Sequence, residues 1–63
     1  MTQKERVESA LHTAVTESQH TVKEIAAAAK RGDDEAVAYW QAAAEYWIDR
    51  IEHYAKQLKE VDA

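Results

Sequence analysis

Lys30-Arg31-Gly32-Asp33-Asp34-Glu35 decides the fold. Gly32 is the sole glycine of the chain, and there is no proline. It is therefore the one residue that takes φ > 0 without strain, and a helix that reaches it stops there. Lys30 and Arg31 set positive charge against the open carbonyls of that last turn. Asp33 or Asp34 then caps a second helix, and Glu35 adds negative charge to its first turn. The stretch reads as a tight turn over 31–34 between two helices.

Upstream, Thr2-Gln3-Lys4-Glu5 reads as a capping box, in which the Thr2 hydroxyl accepts from the Glu5 amide and the Glu5 side chain reaches back. The first helix is expected over about 3–30 and the second over about 35–61. Each would be roughly 40 Å long at 1.5 Å per residue. The expected architecture is all-α: one domain, 1–63, forming a two-helix antiparallel hairpin that dimerises into a four-helix bundle.

The second helix carries the sharper pattern. Val37, Trp40, Ala44, Trp47, Ile51, Tyr54, Leu58 and Val61 step by three and four without a polar interruption. That is the spacing of a face packed on another helix at a shallow angle. The first helix offers a weaker stripe, Val7, Leu11, Ala14, Val15, Ser18, Val22, Ile25, Ala28 and Ala29. Folding at Gly32 brings level those positions whose numbers sum to about 65. Trp40 then meets Ile25, Ala44 meets Val22, Trp47 meets Ser18, Ile51 meets Ala14 and Leu58 meets Val7. Large mostly faces small, as interdigitation requires. Ser18 is placed to accept the Trp47 indole N–H.

With 63 residues the chain has room for a small core, which rarely supplies more than ~3–5 kcal/mol. Chains of this size usually add a disulfide, a metal or a second subunit. There is no cysteine, which closes the first route. The 12 acidic and 8 basic side chains are interspersed and sum to −4, with no basic stripe for nucleic acid. No apolar run approaches the ~18–20 residues of a membrane span. Met1-Thr2-Gln3-Lys4-Glu5 lacks the apolar segment of a signal peptide, so a cytoplasmic location is expected.

Chemistry finds little support. Glu17-Ser18-Gln19-His20 has the Glu-x-x-His step of di-iron bundles, but those need two such steps and two more glutamates pointing inward. Glu45, Asp49, Glu52 and His53 fall on the outside of the second helix. No metal site is expected. By number His12 pairs with His53 and His20 with Glu45, but helical phase sends each pair to opposite sides, and the three histidines read as exposed. Thr13, Thr16, Ser18 and Thr21 supply hydroxyls without a nucleophile–base–orienter set. No glycine-rich loop cradles phosphate, and a two-helix hairpin has no concave pocket for a small molecule. The chain is expected to be no enzyme and to need no cofactor.

The aromatic residues do form a pattern. Tyr39-Trp40 and Tyr46-Trp47 are spaced by seven and followed by His53-Tyr54. The second member of each pair lies in the core stripe. Tyr39, Tyr46 and His53 make another stripe about 100° away. Ala36, Ala43 and Arg50 lie between the two, while Ile48 and Ala55 widen the apolar arc on its other side. The arc spans about 200°, against the ~100° that a surface helix normally buries. The first helix covers about half of that. The surplus predicts a partner-binding surface at Tyr39, Ala43, Tyr46, Ile48, Arg50 and His53, since Tyr, Trp and Arg dominate binding hot spots. The expected role is an adaptor, subunit or inhibitor, of phage or bacterial accessory type, that self-associates or binds another protein.

In its Met-Thr start, short acid-containing turn and two helices, the chain resembles the Rop family of plasmid copy-number regulators, which are dimers of helical hairpins that bind RNA. The resemblance implies an RNA-binding bundle as the alternative reading. It covers layout alone and carries over no site residue, because that family reads RNA with aromatic and basic groups on its first helix. Here that helix has no aromatic, and Lys4, Arg6, Lys23, Lys30 and Arg31 lie among acids. A designed bundle also fits the heptad regularity, though Thr13, Thr16, Ser18, Thr21 and the scattered histidines argue against one.

Overall fold

The computed structural model describes residues 2–62 and consists of two helices, α1 (Gln3–Arg31) and α2 (Asp34–Asp62), packed side by side. The capping box is present at α1: the Thr2 hydroxyl accepts from the Glu5 amide at 3.1 Å, and the Glu5 carboxylate accepts from the Thr2 amide at 3.0 Å. At its other end Gly32 takes φ 71°, ψ 25°. The Gly32 amide donates to the Ala29 carbonyl and the Asp33 amide to the Ala28 carbonyl, the paired bonds of a Schellman ending. Asp33 is also the cap of α2, its Oδ1 accepting from the Ala36 amide at 3.1 Å. The connection is thus Gly32-Asp33, two residues shorter than the turn over 31–34. Arg31 still belongs to α1, and Asp34 already belongs to α2.

Burial on α1 repeats at sevens. Val7, Ala14, Thr21 and Ala28 are buried, flanked by half-buried Ala10, Leu11, Glu17, Ser18, Glu24 and Ile25. This period is that of a shallow helix crossing. It also corrects the predicted stripe. Val15, Val22 and Ala29 are not core residues: all three are exposed, Val22 to 60%. Thr21 takes the place given to Val22 and is 2% exposed. Its hydroxyl donates to the Ser18 carbonyl at 2.8 Å, so the buried oxygen is satisfied inside its own helix. Ser18 likewise donates within α1, to the Val15 carbonyl at 2.7 Å, and not across the hairpin to Trp47.

On α2 the predicted face is the inward one, but every side chain of it remains partly open. Val37, Trp40, Ala44, Trp47, Ile51, Tyr54, Leu58 and Val61 are all half-buried. The reason is thickness. The Cα atoms span 46 × 16 × 11 Å, a slab one helix deep. The radius of gyration is 14.4 Å, against ~11 Å for a globular chain of this length.

Candidate functional site

Helical phase divides the hairpin surface into two flanks. At 100° per residue, Leu11, Ser18 and Ile25 sit about 40° to one side of the Val7–Ala28 line on α1, and Val15, Val22 and Ala29 about 100° to the same side. Glu17 and Glu24 lie about 60° to the other side, and His20 about 120°. Because α2 runs antiparallel, the sense reverses on it. Ala44, Ile51 and Leu58, then Ile48 and Ala55, turn toward the flank of Val22. Ala43 and Arg50, then Tyr39, Tyr46 and His53, turn toward the flank of His20.

Ring contacts tie the second flank together. Trp40 meets the Tyr39 ring edge-on at 5.1 Å and the His20 ring at 5.7 Å, the latter across the two helices. His20 is therefore not a detached outer histidine, although Trp40 and not Glu45 is its neighbour. Tyr46 stands edge-on to Trp47 at 5.0 Å, and His53 to Tyr54 at 5.4 Å. These T-shaped pairs fix each outer ring against the ring that follows it in sequence. Arg50 lies over the Tyr54 ring at 4.9 Å and donates to a Tyr54 hydroxyl at 3.0 Å. That hydrogen bond raises the guanidinium pKa above its ordinary value and holds the charge in place.

The six residues expected to bind a partner do not form one surface. Tyr39 and Tyr46 are 68% and 57% exposed, and His53 beside them is exposed as well. Ala43 and Arg50 are half-buried on the same flank. Ile48, 51% exposed, lies on the opposite flank. There it joins Val15 and Val22, which sequence reasoning had assigned to the core. Their signal was in the chain: Leu11, Val15, Ser18, Val22, Ile25 and Ala29 step four-three-four-three-four, a complete second seam on α1.

Among the described residues no three His, Cys, Asp or Glu side chains are grouped to hold a metal ion, and no helix is long and apolar enough to cross a membrane. A shallow, open recess lies among Gln3, Gln57, Glu60 and Val61, at the hairpin end away from the turn. It contains no nucleophile and no grouped acid–base pair. The arrangement leaves two flanks exposed, one aromatic and one aliphatic. Compared with protein-family models, curated proteins and solved structures, the chain matches none, and these two surfaces are what its function is read from.

Proposed function

We propose that the chain is a non-enzymatic protein–protein interaction module. A second helical hairpin completes it as a four-helix bundle, and the aromatic flank of α2 receives a partner protein. The observation that carries this reading is the openness of α2: no described side chain on it is fully buried, and Tyr39 and Tyr46 are 68% and 57% exposed on a slab one helix thick. Only Val7, Ala14, Thr21 and Ala28 are buried among the described residues, and two of those are alanines. Such a core is too small for a chain of this size to rely on alone. Tyr39, Ala43, Tyr46, Arg50 and His53 combine aromatic area with a fixed cation, the composition of binding hot spots.

Two measurements test the proposal. Sedimentation equilibrium with thermal melting across a ~100-fold range of concentration should show association and a rising Tm. A monomer with a constant Tm removes the bundle. For the partner surface, wild type is compared with a Tyr39→Glu/Tyr46→Glu double variant in pull-downs. Both rings lie outside the hairpin's own core, so the variant should fold. A partner held by wild type and lost by the variant supports the aromatic flank, and a partner held equally by both refutes it.

A further inference from the structure

We propose that the aliphatic flank is the seat of a second copy of this chain, laid face to face and antiparallel, with a two-fold axis passing beside Ser18 and Ile48. The inference rests on the reading of the hairpin as half of a four-helix bundle, and it adds the face and the register.

The first argument is area. The hairpin exposes 4789 Å², where a folded monomer of 7.2 kDa is expected to expose ~4,100 Å². The surplus, ~700 Å², is close to the ~800 Å² that each partner buries in a stable interface. A second slab of equal size is what this surplus calls for.

The second argument is charge. Between Leu11 and Ala29 the aliphatic flank of α1 presents Leu11, Val15, Ser18, Val22, Ile25 and Ala29 and no charged side chain, with Lys4 and Glu8 continuing its two lines only at the hairpin end away from the turn. On α2, Val37, Ala44, Ile51 and Leu58 on the inner line and Gln41, Ile48 and Ala55 beside it include none between 37 and 58, Asp34 lying on the second line at the turn. The chain as a whole is 32% charged and carries a net −4. Two like-charged copies can meet on this face while their carboxylates remain at the rim in water, where salt screens them. The aromatic flank lacks this property, because Glu17, Glu24 and Arg50 turn toward it.

The third argument is symmetry, and it selects a second copy over a foreign partner. The α1 seam reads nearly the same in both directions from Ser18. Leu11 and Ile25 lie seven residues to either side, and Val15 and Val22 three and four. An antiparallel copy therefore sets Leu11 on Ile25 of its partner and Val15 on Val22, with the two Ser18 residues at the axis. Ser18 is small, and its hydroxyl already donates to the Val15 carbonyl, so two helices can close there without leaving a polar group unmet. The level of Ser18 on α2, by the sum of 65, is position 47. Reversal about a point half a residue beyond that level sets Ala44 on Ile51 and Val37 on Leu58, with Ile48 beside its own copy. Small faces large at Ala44 and Ile51, as tight packing needs. A self-complementary patch of this kind is the signature of an isologous dimer. The arrangement leaves Tyr39, Tyr46 and His53 free on the outer edges.

The test uses the absence of native cysteine. Ser18→Cys gives a chain with a single thiol that should meet its own copy at the axis. On mild oxidation it should form a covalent dimer at least ~10-fold faster than Tyr46→Cys, because a disulfide needs Cα atoms within about 7 Å. Leu11→Cys alone should not cross-link, since its copy lies about 21 Å further along the helix at 1.5 Å per residue. Leu11→Cys mixed with Ile25→Cys should cross-link to each other. Ser18→Cys cross-linking together with that mixed disulfide establishes the face and register. If wild type sediments as a dimer while Ser18→Cys stays reduced, this inference fails and the four-helix reading stands. If wild type is a monomer, both fail.

Discussion

Replacing Gly32 by alanine separates a hairpin from a single straight rod by the sign of one free-energy change. Gly32 sits at φ 71°, and a Cβ placed on it would meet nothing within 4 Å. The cost of Gly32→Ala is therefore backbone strain alone. Holding an L-residue in the left-handed region costs about 1–2 kcal/mol. The narrower unfolded ensemble of alanine offsets about 0.4–1 kcal/mol of that. The net is a loss of about 1 kcal/mol. For a domain of this size that lowers Tm by ~4–8 °C. Were residues 3–62 one continuous helix, the same change would be a gain, because alanine is favoured over glycine in a helix interior by about 1 kcal/mol. The two structures thus differ by about 2 kcal/mol in their response. Thermal melts followed by far-UV circular dichroism, at one fixed protein concentration, resolve this easily. Gly32→Asn should fall between wild type and alanine, since asparagine tolerates the left-handed region. An alanine variant that melts at or above wild type refutes the turn and the two flanks derived from it.

Other outcomes follow from single side chains. Val22 is 60% exposed in the hairpin, so Val22→Glu should leave α1 and α2 packed yet weaken self-association by about 100-fold in sedimentation equilibrium, as two valine burials of ~1.5 kcal/mol are lost per dimer. Unchanged association would remove Val22 from any interface. Ala14 is fully buried, and Ala14→Leu should destabilise by about 1–3 kcal/mol through overpacking, whereas Ala42→Leu at an exposed position should stay within ~0.5 kcal/mol, both read by chemical denaturation. Equal effects would put Ala14 outside the core. The Glu5 pKa lies below its ordinary 4.5, through the Thr2 amide and then the Thr2 hydroxyl. Its contribution is therefore full above 4.5 and lost as pH falls through the lowered value. Amide exchange in the first turn of α1, corrected for intrinsic rates, should accelerate across that window in wild type and show no such step in Glu5→Gln.

The helix ends were legible because each depends on one or two residues with a local physical requirement. Thr2 with Glu5 and Gly32 with Asp33 need no tertiary information to be read. The inward line of α2 was legible for a different reason, since two tryptophans, Ile51 and Leu58 repeat without a polar gap. The burial of α1 was read one seam too wide: Val7, Ala14 and Ala28 are core as expected, Val15, Val22 and Ala29 are not, and Thr21 was missed. Apolar character says that a face will be covered, and it does not say by what. Val15 and Val22 are as apolar as Val7, yet the hairpin buries Val7 and leaves them open. Thr21 was overlooked because its hydroxyl counts as polar, although a threonine that donates to its own helix presents mostly a methyl group to its neighbour. Ala14 and Ala28 were read correctly as core, and their small size lets the helix axes approach. Ile48 was grouped with Tyr39 and Tyr46 because all three extend one apolar arc, from opposite ends; once α1 covers the middle of that arc, its two ends become separate flanks.

Asp33 completes one helix with its amide and begins the next with its carboxylate. A joint built this way has no spare length. Inserting even one residue between Gly32 and Asp33 would detach the amide from Ala28 or the carboxylate from Ala36, so the tether cannot be loosened gradually. The two arms consequently cannot slide lengthwise past each other, and any lengthening at this corner would shift every pairing along the whole hairpin at once.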